Sequence, residues 1–243
     1  MKLLTPILTI YFLTISFVHA QTKTIVLNTT DWCPYTCSTM ANKGIVTEYV
    51  STILSRKGYN LEVKFLPWTR AVKMAVSGES DGLLTGVSSE AKELKFTSTP
   101  TMTYRTCIFT ANKEVLKKKR IENINDLSKI KLGTISGYSY GSEMDAYISK
   151  AKKGNINSIS GKDALERLYK LSSLGRIDYF VEDELVVKHT LKNKYLKVFC
   201  NKEDPFFLGL SPRYKNHKKL IEMLNSEFSK NKKLLERIKR ESK

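Results

Sequence analysis

The chain has 243 residues, 41% of them hydrophobic and 27% charged, and its 41 lysines and arginines against 24 acids give a net charge of +17. That length supports a sizeable core in one large domain or two small ones, and beyond the first twenty residues no segment is apolar enough to span a bilayer. The charge does not mark a nucleic-acid binder, because the lysines are spread among acids with no recognisable nucleic-acid module, and those of 215–243 alternate with Leu220, Leu224 and Phe228 like the solvated faces of helices.

Residues 1–20 combine Lys2, an apolar run as far as Val18 and the small-residue ending Val18-His19-Ala20, the pattern of a secretory signal peptide. A membrane span needs roughly 20 uninterrupted apolar residues, and this run is shorter and contains Pro6. The mature chain is expected in the periplasm, and with no cysteine after the cleavage site no lipid anchor is expected. Four cysteines, Cys33, Cys37, Cys107 and Cys200, are an even number for an oxidising compartment. Cys33 and Cys37 share one tight loop and are expected to be bridged. Cys107 and Cys200 are either paired with each other or free.

In chain order, a short strand, Ile25-Val26-Leu27, leads into a loop rich in Cys, Pro, Thr and Ser. Apolar residues then pair at Ile45/Val46, Tyr49/Val50 and Ile53/Leu54, the spacing of a buried helical face over 44–57, and Gly58 supplies the stop. A strand follows at 61–66, where Val63 and Phe65 alternate with Glu62 and Lys64. A helix over 69–77, Gly78 and a strand at 81–85 complete this series. Strands alternating with helices imply crossover connections and a mainly parallel sheet flanked by helices.

The pattern restarts with a strand at 104–111 and a charged connection over 114–120, which marks a second lobe. Its strands are expected at 131–135, 155–159 and 177–181, with helices over 143–152 and 162–174 and beyond Asp183. A last strand at 206–210 leads into the terminal helices. No low-complexity linker separates the lobes, which suits two strands running between them as a hinge.

In open α/β sheets ligands lie beyond the carboxyl ends of the strands. The loops there read Asp31-Trp32-Cys33-Pro34-Tyr35, Pro67-Trp68-Thr69-Arg70, Thr85-Gly86-Val87-Ser88-Ser89, Gly137-Tyr138-Ser139-Tyr140-Gly141 and Glu182-Asp183-Glu184. Aromatic faces that exclude water, with a few fixed polar groups, describe a small-molecule cleft. Ser139 at a helix start suits an anionic oxygen. Asp183 suits an ammonium or serves as a helix N-cap. Trp32 and Trp68 would fill a core equally well, but both stand at strand ends, which favours ligand contact.

The runs Pro67-Trp68-Thr69-Arg70-Ala71, Gly78-Glu79-Ser80-Asp81-Gly82, Phe96-Thr97-Ser98-Thr99-Pro100, Asp126-Leu127 before Leu132-Gly133-Thr134-Ile135-Ser136-Gly137-Tyr138-Ser139, and Leu174-Gly175-Arg176-Ile177-Asp178 occur in an order and spacing that resemble the family 3 extracellular solute-binding proteins. The resemblance covers nearly the whole mature chain. It implies an α/β, two-lobed periplasmic binding protein fold, with 21–110 and 204–243 as lobe 1 and 111–203 as lobe 2, joined by two hinge strands. It also implies that the segment from Thr85 through Gly86 to Ser88, together with Ser139, holds a ligand carboxylate, that Asp183 holds the ammonium, and that Trp32 or Tyr35 covers the ligand. Trp68 and Tyr138 complete the expected walls. The family's carboxylate-clamping arginine has no counterpart, because this chain reads Ser88-Ser89-Glu90-Ala91-Lys92 there. Arg70 or Lys92 is expected to replace it.

Two other classes compete. An enzyme on the same fold needs a positioned acid and base, and the adjacent pairs around Asp183 do not force two side chains onto one site. A thiol-disulfide protein would use Cys-x-x-Cys, whereas three residues separate Cys33 from Cys37. The expectation is a monomeric binding protein that takes a small polar, amino-acid-like solute, without cofactor, metal or nucleic acid, and works with an ABC permease or a membrane sensor.

Overall fold

The computed structural model describes residues 23–118, 121–152, 154–192 and 194–242. The leader expected at 1–20 lies outside them. The chain begins with β1 (Lys23–Thr29), α1 (Ile45–Ser55), β2 (Tyr59–Phe65), α2 (Trp68–Ser77), β3 (Gly82–Leu83) and β4 (Lys95–Phe96). It crosses on β5 (Met102–Tyr104) into β6 (Thr106–Thr110), α3 (Lys113–Lys118), a 3-10 turn (Ile124–Lys129), β7 (Leu132–Ile135), α4 (Ser142–Lys150) and β8 (Ile156–Ile159). After α5 (Ala164–Ser173), β9 (Tyr179–Asp183), α6 (Glu184–Leu191) and β10 (Leu196–Cys200), it returns on β11 (Asp204–Phe206) to β12 (Gly209–Leu210), α7 (His217–Lys230) and α8 (Lys232–Glu241).

These strands form two five-stranded sheets and one two-stranded ribbon. The first sheet has the order β2-β1-β3-β12-β4 and the second β10-β6-β9-β7-β8. The parallel pairings, β1 with β2 and β3 and β7 with β8 and β9, are the crossover units that the alternating pattern predicts. The antiparallel pairings come from β4, β6, β10 and β12, on either side of the crossings. The ribbon of β5 against β11 carries the chain out and back, and it is the hinge.

Helix α1 shows how local sequence builds this frame. Ile45, Val46, Tyr49, Val50, Ile53 and Leu54 are all buried, so one face seals the first sheet while Glu48 and Arg56 stay outward. Gly44 opens the helix at φ 97, where a Cβ would lie 2.6 Å from the Tyr35 carbonyl oxygen. Only glycine fits there, and the loop after β1 is thereby pressed against the helix start.

Three expectations change, and β10 comes in addition to the strands expected. The strand expected at 104–111 is two strands: Thr106–Thr110 pairs with β9 and β10 in the second sheet, so the crossing falls at Arg105 and not after residue 110. Nothing in Tyr104-Arg105-Thr106 breaks an extended run, which hides the boundary. The charged connection contains α3, a helix with no buried residue. β10 pairs with β6 through a register shift between Lys197 and Phe199, which spoils its alternation. The last expected strand divides into hinge strand β11 and sheet strand β12.

Both cysteine pairs are bonded. Cys33 and Cys37 close the loop after β1, with Cα atoms 4.7 Å apart. Cys107 and Cys200 face each other across β6 and β10 beside the hinge. No helix among the described residues is long and apolar enough to cross a membrane.

Candidate ligand-binding cleft

The disulfide loop after β1 folds back on itself, with Trp32 N–H donating to the Thr36 carbonyl at 2.8 Å and Tyr35 N–H to the Trp32 carbonyl at 2.9 Å. Trp32 stacks on Tyr35, with ring centroids 4.3 Å apart, and meets Tyr104 and Phe206 edge-to-face at 5.8 and 5.5 Å. Tyr104 ends β5 and Phe206 ends β11, so the hinge itself supplies two aromatic walls. Trp68 opens α2 directly after Pro67, a residue whose fixed φ suits a helix start. Its indole N–H donates to the Gly137 carbonyl of the second lobe at 3.0 Å, and its ring meets Tyr138 edge-to-face at 6.1 Å. Gly137 sits at φ 82, and a Cβ there would press on Thr69 at 3.0 Å, so the lobes meet at a glycine.

Further contacts cross between the lobes. The Trp32 indole N–H donates to Glu182 at 3.2 Å, the Tyr35 hydroxyl donates to Asp183 at 3.2 Å, and the Ser89 hydroxyl donates to the Ser139 hydroxyl at 3.4 Å. Glu90 makes another. A turn closed by Glu90 N–H on the Val87 carbonyl swings its side chain inward, where one carboxylate oxygen accepts the Ser139 N–H at 2.9 Å and the other the Val87 N–H at 3.0 Å. Burial pushes the Glu90 carboxyl up to about 7, against the opposing pull of those two N–H groups.

These groups surround one cavity, in which the space open to the centre of a water-sized sphere is about 50 Å³. Its aromatic lining is Trp32, Trp68, Tyr104, Tyr138 and Phe206. Thr30, Thr85, Gly86, Val87, Ser139 and Glu90 complete it, and among the described residues no lysine or arginine does. Burial raises the hydroxyls of Tyr104 and Tyr138 far above the ordinary tyrosine range, so both stay neutral. A second hollow on the far side of Trp32 and Tyr138 holds about 110 Å³, with Asp31, Lys162, Glu166 and Glu182 among its walls.

Six of the ten expected contact residues thus line the cavity: Trp32, Trp68, Thr85, Gly86, Tyr138 and Ser139. The polar groups of Ser139 are already engaged, since its hydroxyl donates to Asp145 on α4, the helix that follows it, and its N–H to Glu90. Tyr35 lies beneath Trp32, 1% exposed, as support for the wall. Arg70, Lys92 and Ser88 are exposed and outside the cavity, so neither of the two cations is part of its lining.

Asp183 takes the helix N-cap place, one of the two roles its position offers. It is 2% exposed and accepts four hydrogen bonds: from the N–H groups of Leu185, Val186 and Arg105 and from the Tyr35 hydroxyl. It caps α6 and anchors the hinge-side loop, and it does not line the cavity. The charged residue that does, Glu90, has no local mark in the sequence. Its one signal is its place in the run where the family pattern puts an arginine.

No protein-family model matches the chain, and no curated protein matches it in sequence. Solved structures do. An amino acid ABC transporter substrate-binding protein from Streptococcus pneumoniae, bound to L-arginine, is 17% identical with a TM-score of 0.70, covering 92% of this chain and 95% of that one. An ancestral amino acid-binding protein, a precursor of cyclohexadienyl dehydratase, is 18% identical with a TM-score of 0.69 over 90% and 94%. A histidine kinase sensor domain with similarity to periplasmic binding proteins is 17% identical with a TM-score of 0.70 over 90% and 95%. At such identities the likeness establishes architecture, and with two sheets joined by a two-strand hinge around an aromatic cleft, the chain has the two-lobed fold of the periplasmic binding proteins.

Proposed function

We propose that this chain is an exported binding protein that closes its two lobes on a small polar, amino-acid-like solute, for uptake or for sensing. The observation that carries the reading is the cavity itself: five aromatic rings, drawn from both lobes and from both hinge strands, enclose one site with a single charged group. Such a site changes shape when the lobes move, which suits a reporter of occupancy. The similar proteins include a transporter's substrate-binding protein and a kinase sensor domain, which supports either an ABC permease or a membrane sensor as the partner of a monomeric, periplasmic chain.

Binding without turnover fits the two carboxyls nearest the cleft. Glu90 is held by two backbone N–H groups, and Glu182 by the Asp183 N–H and the Trp32 indole. His189 is exposed, and His217 is engaged with the Tyr214 carbonyl. The test is mass spectrometry of small molecules released on denaturing the purified protein, followed by titration calorimetry with each compound found. Recovery of one solute that rebinds unchanged supports the reading. A chemically altered product after hours of incubation would make the protein an enzyme, and failure of any released or supplied small solute to bind would overturn the reading.

A further inference from the structure

We propose that the cavity selects small organic ammonium ions that carry no carboxylate, with Glu90 as the counter-charge and the faces of Trp32, Trp68, Tyr104 and Tyr138 as the cation-binding walls. This rests on the solute-binding reading above and narrows it to a ligand class.

Charge comes first. The one charged group lining the cavity is an acid; Arg70 and Lys92 are exposed outside it, and Lys162 lies in the second hollow that shares the Trp32 and Tyr138 walls. Asp145, which accepts from the Ser139 hydroxyl and N–H of Tyr140, adds a second negative charge behind the same wall. An entering carboxylate would meet like charge with no cation in the cavity lining to offset it.

Hydrogen-bond donors come second. In a cleft of this kind an anion is held by backbone N–H groups at loop ends and helix starts. Here the Ser139 and Val87 N–H groups both already donate to Glu90, and the Ser139 hydroxyl to Asp145. The protein's own carboxylate therefore occupies two backbone donors, at a loop end and ahead of α4, that could otherwise hold a ligand carboxylate. A carboxylate oxygen accepts more than one bond, so Glu90 retains capacity for an ammonium N–H.

The rings come third. Trp68 stands nearly perpendicular to Tyr138, at 84°, and Trp32 lies at 69° to both Tyr104 and Phe206. These rings line the cavity, and an aromatic face attracts a cation that has shed its water. The open space of about 50 Å³ exceeds what one water needs and leaves room for a small ammonium head.

The experiment uses the mature full chain and matched compounds that differ by the carboxylate alone: arginine and agmatine, ornithine and putrescine, lysine and cadaverine, glycine betaine and tetramethylammonium. Titration calorimetry should show the member without a carboxylate binding about tenfold or more tightly in at least one pair. Glu90→Gln should remove about tenfold or more of that affinity, with circular dichroism and thermal unfolding confirming the fold. Glu90→Asp, which keeps the charge, should recover part of it. Tighter binding of the amino acid in the pairs that bind, or an unaltered preference in Glu90→Gln, would overturn the ligand class while leaving solute binding intact. Binding of neither member of any pair would overturn both.

Discussion

The carboxylate of Glu90, in the first lobe, accepts the backbone N–H of Ser139, in the second, at 2.9 Å. This clasp sits inside the cavity wall, so the same group joins the lobes and presents charge to whatever lies between them. Its protonation state therefore bears on ligand affinity.

Burial raises the Glu90 carboxyl to about 7, and the groups facing it are Asp145, which raises it further, and the neutral hydroxyls of Tyr104 and Tyr138. A cation is held by the ionised form, so affinity for an ammonium ligand should rise as pH increases through 7 and fall below it by up to about tenfold per pH unit. Calorimetry at pH 6, 7 and 8 reads this directly. Glu90→Gln should flatten the profile.

Glu182 gives a stability effect that Glu90→Gln leaves in place. It is 2% exposed, and burial raises its carboxyl from 4.5 to about 7. Between those values the unfolded chain binds fewer protons than the folded one, so this group's contribution is present below pH 4.5 and is lost as pH rises through 7. Glu182→Gln keeps an acceptor for the Trp32 indole and the Asp183 N–H. It should raise the unfolding temperature at pH 8 by several degrees, at roughly 2–4 °C per kcal/mol, and have little effect at pH 5. Thermal unfolding at the two pH values decides it.

Asp183 should behave as a structural residue. Asp183→Ala removes the α6 cap and leaves buried donors unsatisfied, at a cost of about 3 kcal/mol. Ligand affinity of the folded fraction should change little. Urea unfolding and calorimetry on the same preparation separate the two effects, and a large affinity loss at unchanged stability would return Asp183 to the binding site.

Trp32 and Trp68 are the two tryptophans of the chain, and both line the cavity. A ligand that enters should shift or quench their emission, with Trp32→Phe and Trp68→Phe each removing part of the signal. Trp68→Phe also deletes the bond to the Gly137 carbonyl, so it should weaken lobe closure and speed ligand release. Unaltered emission with a calorimetrically verified ligand would place binding elsewhere.

Much of this was legible because it depends on periodic burial. The paired apolar residues of α1 and the alternation within β2 required a covered sheet, and the two tryptophans at strand ends marked the cleft walls. What stayed hidden depends on direction. Glu90 lies between exposed Ser89 and Lys92, and the turn at Val87 alone sends it inward. An aspartate ahead of α6 reads equally well as cap or ligand contact, and only the burial of Asp183 and its four donors separates the two. The boundary of the first hinge strand escaped for a third reason: Tyr104, Arg105 and Thr106 keep one extended course while their hydrogen bonds pass from the ribbon to the second sheet.

The bond between Cys107 and Cys200 joins the second lobe's first and last strands next to the hinge, across a sequence separation of 93. Tension applied at the two ends of the chain passes straight across that bond, so the second lobe bears no load and acts as a closed bead on the thread. Roughly 320 Å of contour, at about 3.5 Å per residue, stays locked until the bond is reduced. Stretched between its termini, the oxidised chain would yield through the first lobe alone, and the second would feel the pull only after reduction.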